Sequence, residues 1–412
     1  MKTWVLPMCA VCFLAGAAMA GENGSYQDGG YWATPLPWLM GALARSDPAL
    51  AAKAFCDAVE DFQARKTIAE WVNDQSPARL GVRDYCASAA MPLVGARQLR
   101  QRLATTGQRL SPELAARFDA DDAWLREQAR RILRGSSRLG KGNIRIFTPD
   151  ASGGYGAFWV RDWSYAIDGC PQAFTRDEIR DGYLFLARAQ REDGCMPDRV
   201  CADGHGVFSP GSEAEPFSKS GSVDQSPFMV DVCWQYWKLY DDLGPFRATA
   251  ASLEKAMRIT PRNAANGLVC ITDPTLFRPY SFIDTVPLTG DQQFDSVLYF
   301  DASNKLAEML EASGQSDRAA VWRHEAQRIK TSMASLWDEQ AGLFVAASEH
   351  YRQPSIWGSL FAVYAGIATP AQSDRIVRYC IDHYDTIVLH GQVRHLPRGM
   401  SWGKIEQRQE TH

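Results

Sequence analysis

The feature that most constrains this chain is a run of about twelve helix-forming segments in consecutive pairs, with strong strand signals nearly absent. Helical spacing of apolar residues runs through roughly 36–45, 49–65, 85–103 and 111–135, then from the Trp159–Asp162 cluster to about 173. It resumes over roughly 176–190, 224–241, 245–259, 291–313, 315–336, 354–366 and 370–383. In the 315–336 segment, Ala319, Trp322, Ala326, Ile329, Met333 and Leu336 form one apolar face at three- and four-residue spacing. Ser46 or Asp47 can cap the second segment with Pro48 at its first position, and Ser111-Pro112-Glu113 opens the fourth. Short links fix antiparallel hairpins, and the long loops that alternate with them gather on one side, where a site can form. Six hairpins closed in a ring are the simplest architecture for that count. The expected fold is an all-α (α/α)6 toroid with long loops on one face. An open solenoid is the alternative, and no repeat period supports it.

Composition narrows the class. The chain has 412 residues, 46% hydrophobic and 22% charged, enough for one large core or two domains. A net charge of −4 carries no basic excess, so nucleic acid is not an expected partner. Residues 1–20 read as a secretory signal, with Lys2, an apolar run from Trp4 to Leu14 and small residues ending at Ala20. The expected mature chain is exported as one domain over 21–412, with no membrane span. Of ten cysteines, Cys9 and Cys12 lie in that signal. The other eight are scattered, unlike a compact disulfide framework. Cys195 and Cys201 could close a loop, and most of the rest read as buried thiols. No metal or cofactor is expected.

The chemistry concentrates in Gly153-Gly154-Tyr155-Gly156-Ala157-Phe158-Trp159-Val160-Arg161-Asp162-Trp163. Glycines allow a tight turn and close approach to a ligand. A guanidinium forks onto paired acceptors, a carboxylate accepts from vicinal hydroxyls, and indoles offer flat faces to a sugar's C–H surface. Arg161 and Asp162 can also be read as a structural ion pair capping a helix among core aromatics. Two long loops, 192–222 and 260–291, are candidates for function by their length alone.

The run from Thr148-Pro149-Asp150 through Asp162 resembles the six-hairpin (α/α)6-barrel glycosidases, the superfamily of glucoamylases, trehalases and α-rhamnosidases. Similar stretches are Gln190–Arg199, Asp224-Gln225-Ser226-Pro227-Phe228, Asp284-Thr285-Val286 with Thr289-Gly290-Asp291, and Gly391-Gln392-Val393-Arg394-His395-Leu396-Pro397. The resemblance implies an exported glycoside hydrolase that cleaves a terminal sugar with paired carboxylates and inverts the anomeric centre. It implies that Trp159, Arg161 and Asp162 hold the terminal sugar and that Asp284 is the general acid, with Phe282 and Ile283 beside it. Asp284 can equally be a turn or N-cap residue before Thr285. Asp224, with Gln225, resembles a sugar-contacting position and is also an N-cap candidate. Arg394 and His395 are expected to line the cleft by hydrogen bonding; His390 with His395 as a metal pair is the lesser reading.

The second carboxylate matches no motif well, and Glu406, Asp28 and Glu22 are the candidates, with Glu406 taken as the partner of Asp284. Gln27, Asp28, Tyr31 and Trp32 belong to a front segment, Tyr26–Pro35, that resembles what relatives carry near their C-terminus. The expected account is a circular permutation. Residues 21–100 correspond to the usual last hairpin and 141–412 to the usual start, and residues 22–32 and 400–408 lie side by side facing Asp284. A carbohydrate is the expected partner; oligomeric state is not legible. A phosphorylase on the same toroid, an epimerase using His390 and His395, and a non-catalytic sugar-binding protein are the competing functions.

Overall fold

The computed structural model describes residues 26–76, 78–403, 405 and 406; the signal-like segment 1–20 and Glu22 lie outside the described residues. Among the described residues, twelve helices form the frame. They are α1 (Leu36–Leu43), α2 (Pro48–Arg65), α3 (Cys86–Thr106), α4 (Pro112–Gly135), α5 (Val160–Gly169) and α6 (Arg176–Arg188), then α7 (Gln225–Tyr240), α8 (Gly244–Ile259), α9 (Gln293–Ala312), α10 (Ser316–Ser332), α11 (Ile356–Tyr364) and α12 (Pro370–Asp382). A single-turn helix, α13 (Tyr384–Ile387), follows. The odd-numbered helices make an inner ring. α1 packs on α3, α3 on α5, α5 on α7, α7 on α9, α9 on α11, and α11 back on α1. This is the six-hairpin toroid expected from the pairing of helices.

Burial explains which helices are inside. Almost every residue of α1 and α11 is buried, including Trp38 and Trp357, so both sequences are apolar on all sides. The outer α10 buries only Ala319, Trp322, Ala326 and Ile329, the stripe that its spacing marks, and lays it against α9. Asp47 and Ser111 cap α2 and α4 by accepting from Leu50 N and Leu114 N. No helix among the described residues is long and apolar enough to cross a membrane.

Two helices end earlier than their apolar spacing suggests. α5 stops at Gly169, and Pro171–Ala173 forms a 3-10 turn. The last turn of the 315–336 segment is likewise 3-10, over Met333–Leu336. Gly169 is the point where α5 crosses α3: a Cβ there would meet Ala90 O at 2.2 Å. Cys195 and Cys201 do not bridge. All eight described cysteines are free thiols, six of them buried, and Cys195 Sγ donates to Ser220 O at 3.1 Å.

The short strands tie loops rather than build a layer. Arg145–Phe147 pairs with Ser137–Leu139. Near the two ends of the described chain, Tyr31 and Trp32 pair antiparallel with Arg394 and Val393.

The α3–α5 crossing is testable. Gly169→Ala overpacks it and should lose about 1–3 kcal/mol in urea unfolding. Gly41→Ala, whose Cβ meets nothing closer than 3.9 Å, should hold stability or gain up to about 1 kcal/mol.

Candidate active site

The long loops all precede inner helices, so they meet at the N-terminal end of the ring. There they enclose a cavity of about 430 Å³ lined in part by Tyr85, Tyr155, Trp159, Arg161, Asp162, Phe282 and Asp284. The glycine-rich loop is shaped by Asp150, whose carboxylate accepts from Gly154 N at 2.9 Å, Tyr155 N at 2.8 Å and Ser152 Oγ at 2.6 Å. Gly153 has φ +89°, a left-handed conformation that suits glycine. The chain then enters the short strand Phe158–Trp159 and begins α5 at Val160, which sets Arg161 and Asp162 in the first helical turn.

Both side chains are about 5% exposed. Arg161 Nη2 donates to Asp198 Oδ1 at 2.7 Å. Trp159 Nε1 and Arg199 Nη1 both donate to Asp198 Oδ2 at 3.0 Å. Asp198 is therefore fully engaged in fixing two guanidiniums and an indole. Arg161 Nη1 is buried without a partner, a donor awaiting an acceptor on the cavity wall. Burial works against the Arg161 charge, but Asp198, Asp224, Asp162 and Asp284 together hold its pKa above the ordinary value. Asp162 Oδ1 accepts from the Tyr85 hydroxyl at 2.7 Å. Burial pushes the Asp162 carboxyl up to about 6, with Arg161 and Tyr85 pulling the other way.

The loop before α9 carries Asp284. Gln27 clamps that loop: its Nε2 donates to Asp284 Oδ1 at 2.9 Å and Ser281 O at 3.2 Å. Its Oε1 accepts from Thr285 N at 3.0 Å and Oγ1 at 2.6 Å. Asp284 lies in the turn that closes the 3-10 helix Ser281–Ile283, and its carboxylate is bonded to Gln27 across the chain. Asp224 stands at the N-cap of α7 without any side-chain cap bond. Its two oxygens take Ser281 N at 3.0 Å and Ser281 Oγ at 3.2 Å instead. Burial raises it to about 6 as well, opposed first by Arg161.

The two ends of the described chain meet beside this loop. Trp402 N donates to Asp28 Oδ1 at 3.0 Å, and Trp402 Nε1 to Gln27 O at 2.8 Å. Glu406 N donates to Thr285 O at 2.8 Å. The Glu406 carboxylate, however, is ion-paired with Arg278 at 2.5 Å and is not part of the described cavity wall.

Several residues expected to touch sugar stand behind the wall instead. Trp32 packs edge-on to Phe282. His395 stacks on Trp357 with ring centroids 3.7 Å apart, and burial depresses its pKa to about 3. It is a neutral packing imidazole. Arg394 Nη1 donates to the Tyr31 hydroxyl at 3.3 Å. Asp28 holds Trp402, and Gln225, with its amide turned so that both its atoms are satisfied, bonds to Ser222 and Met196. These residues support the wall rather than face the cavity.

Sequence reasoning passed over Glu70, Tyr85, Asp198 and Arg199. Asp198 and Arg199 lie within a stretch singled out for its resemblance, yet nothing in that stretch signals an ion-pair role. Glu70 carried one signal, a lone carboxylate between apolar neighbours in Ile68-Ala69-Glu70-Trp71-Val72. It is 3% exposed and lines the cavity.

Comparisons with known proteins bear on the fold. Residues 280–390, which include Asp284, match a family described as the mannosylglycerate hydrolase MGH1-like glycoside hydrolase domain. No curated protein matches the sequence. Among solved structures, a GH63 mannosylglycerate hydrolase from Thermus thermophilus in complex with Tris superposes with a TM-score of 0.51 at 15% identity, over 68% of this chain and 83% of that one. A rhamnosidase from Klebsiella oxytoca with rhamnose bound gives 0.45 at 22% identity, over 55% of this chain and 42% of that one. The chain thus spans less than half the length of that rhamnosidase. A GH78 rhamnosidase of Bacillus sp. GL1 gives 0.47 at 14% identity, over 65% of this chain and 26% of that one. The fold is that of the six-hairpin (α/α)6 glycosidases.

The raised carboxyls fix a pH dependence. Asp162 and Asp224 titrate near 6 in the folded protein, against about 3.9 in an unfolded chain. Their contribution to stability is present below the unfolded value and is lost as pH rises through about 6. Asp224→Asn should therefore make the fall in melting temperature between roughly pH 4 and 7 shallower than in the wild type; an unchanged or steeper fall contradicts the assignment.

Proposed function

We propose that this protein is a glycoside hydrolase that removes a terminal sugar in the cavity at the N-terminal end of the ring. The observation that carries this reading is the Asp284 carboxyl held by Gln27 on the same cavity wall as Arg161 and Asp162. Asp284 donates a proton to the departing glycosidic oxygen. Arg161 Nη1 and the Asp162 carboxyl hold sugar hydroxyls, with Trp159 and Tyr155 supplying apolar faces. A second carboxylate takes a proton from water on the opposite face of the sugar, and the product is inverted, which calls for carboxyls roughly 6.5–9.5 Å apart. The match to a glycoside hydrolase domain over 280–390 supports the class. Export directed by residues 1–20 belongs to the same reading.

The circular permutation is part of this proposal. Its support is the contact of Gln27 and Asp28 with Trp402, next to Asp284. In this account the α1–α2 hairpin is the usual last pair, and the cut falls beside the acid. Removing residues 400–412 should then abolish activity through a loosened Asp284 loop; full activity in the shortened chain contradicts it.

The test of the activity is a panel of aryl glycosides and oligosaccharides. Asp284→Asn should lower kcat about 10²–10⁴-fold on substrates with poor leaving groups, and far less on aryl glycosides whose leaving group needs no proton. Equal losses on both, or sugar binding without any turnover, contradict the proposed role.

The charge of the wall bears on the substrate. Its described carboxylates are Glu70, Asp162, Glu215 and Asp284, against Arg161 and Arg199, both already bonded to Asp198. Glycosides with neutral aglycones should therefore show a higher kcat/KM than matched ones bearing a carboxylate. A preference for the acidic member of each pair overturns this.

A further inference from the structure

Hydrolysis needs a second carboxylate, and we propose that Glu70 is the one that activates the attacking water. The assignment rests on the glycosidase reading above. Glu70 sits in the loop between α2 and α3, and its backbone is pinned there. Its N–H donates to Val82 O at 2.8 Å, and its carbonyl accepts from Ser88 Oγ at 3.3 Å. The loop is built tightly around it: a Cβ on Gly81 would come within 2.5 Å of Trp71 and 2.9 Å of Glu70 Cβ. The carboxylate is delivered to the cavity wall, where Oε1 accepts from the Tyr155 hydroxyl at 2.8 Å and Oε2 from Val82 N at 3.4 Å. These donors, one on either oxygen, fix the direction of the carboxylate toward the cavity, where a water can donate to it. An oriented carboxylate in a cavity with a sugar-sized volume is what water activation requires.

The other carboxylates near the cavity are committed elsewhere. Asp198 has both oxygens on Arg161, Arg199 and Trp159. Asp224 has both on Ser281 and does not line the cavity. Asp162 accepts from Tyr85 beside Arg161, in the hydroxyl-holding group. Glu406 is bound to Arg278. Glu215 lies on an exposed part of the 208–222 loop.

The step balances. Water oxygen bonds to the anomeric carbon as the bond from that carbon to the glycosidic oxygen breaks. The Asp284 proton goes to the leaving oxygen, and a water proton goes to Glu70. Exchange of one proton with solvent resets the pair.

The test uses the full chain and an activated aryl glycoside that the wild type hydrolyses. Glu70→Ala should lower kcat at least ~100-fold, within the range for loss of a general base, with little change in KM, and should remove the acidic limb of the pH profile. Azide should restore turnover to Glu70→Ala and yield a glycosyl azide of configuration opposite to the substrate, whereas Asp162→Ala should not respond in this way. Glu70→Gln keeps the shape of the side chain, so it reports on the same step if the alanine variant folds poorly. Near wild-type kcat in Glu70→Gln, or no glycosyl azide from Glu70→Ala, overturns the assignment and leaves the hydrolase reading intact. A wild type that turns over no glycoside overturns that reading and the assignment with it.

Discussion

The structure depends on closure of the inner ring, the packing of α11 back onto α1. Neither helix is stable alone in water, because each is short and apolar on nearly all sides. Burying Trp38 against Phe361 and Trp357 satisfies both at once. Closure also has a consequence at the rim. It brings the first hairpin beside the last, so that Tyr31–Trp32 can pair with Val393–Arg394 and Gln27 can reach Asp284 across 257 residues of sequence. The position of Asp284 is therefore set by the ring and not by its own loop alone.

That arrangement concentrates charge where the helix N-termini point. Inner-helix N-termini favour negative groups, and carboxylates gather at that end of the ring around the buried guanidinium of Arg161, whose charge is held by four of them. Asp198 engages Arg161 Nη2, and Nη1 has no partner among the described residues. The competing description of Arg161 and Asp162 as a simple structural pair does not fit. Arg161 bonds Asp198, Asp162 bonds Tyr85, and both line the cavity.

Much of the fold was legible because helical spacing is local. Each of the twelve helices leaves its own apolar pattern, and alternating short and long links dictate hairpins. The helix ends were less legible where packing decides them, as at Gly169, whose limit comes from Ala90 on another helix. The site was legible where a motif is contiguous, at Trp159-Val160-Arg161-Asp162, and at Asp284 by resemblance. It was illegible where the partner is remote. Glu70 and Tyr155 are 85 residues apart, and no spacing rule links them. Trp32, Arg394 and His395 looked like ligand contacts because aromatic and basic side chains serve both cleft and core. Only the packing of the folded ring tells the two apart, and it puts Trp32 against Phe282, His395 on Trp357 and Arg394 on Tyr31.

The measurement that bears most directly on the account is a crystal structure of the Asp284→Asn protein soaked with an oligosaccharide from the panel. The account predicts a terminal sugar inside the cavity, with a hydroxyl on Arg161 Nη1, another on Asp162, and the glycosidic oxygen within hydrogen-bond distance of residue 284. A sugar bound elsewhere on the ring, or one in the cavity with its glycosidic bond turned away from residue 284, would contradict it.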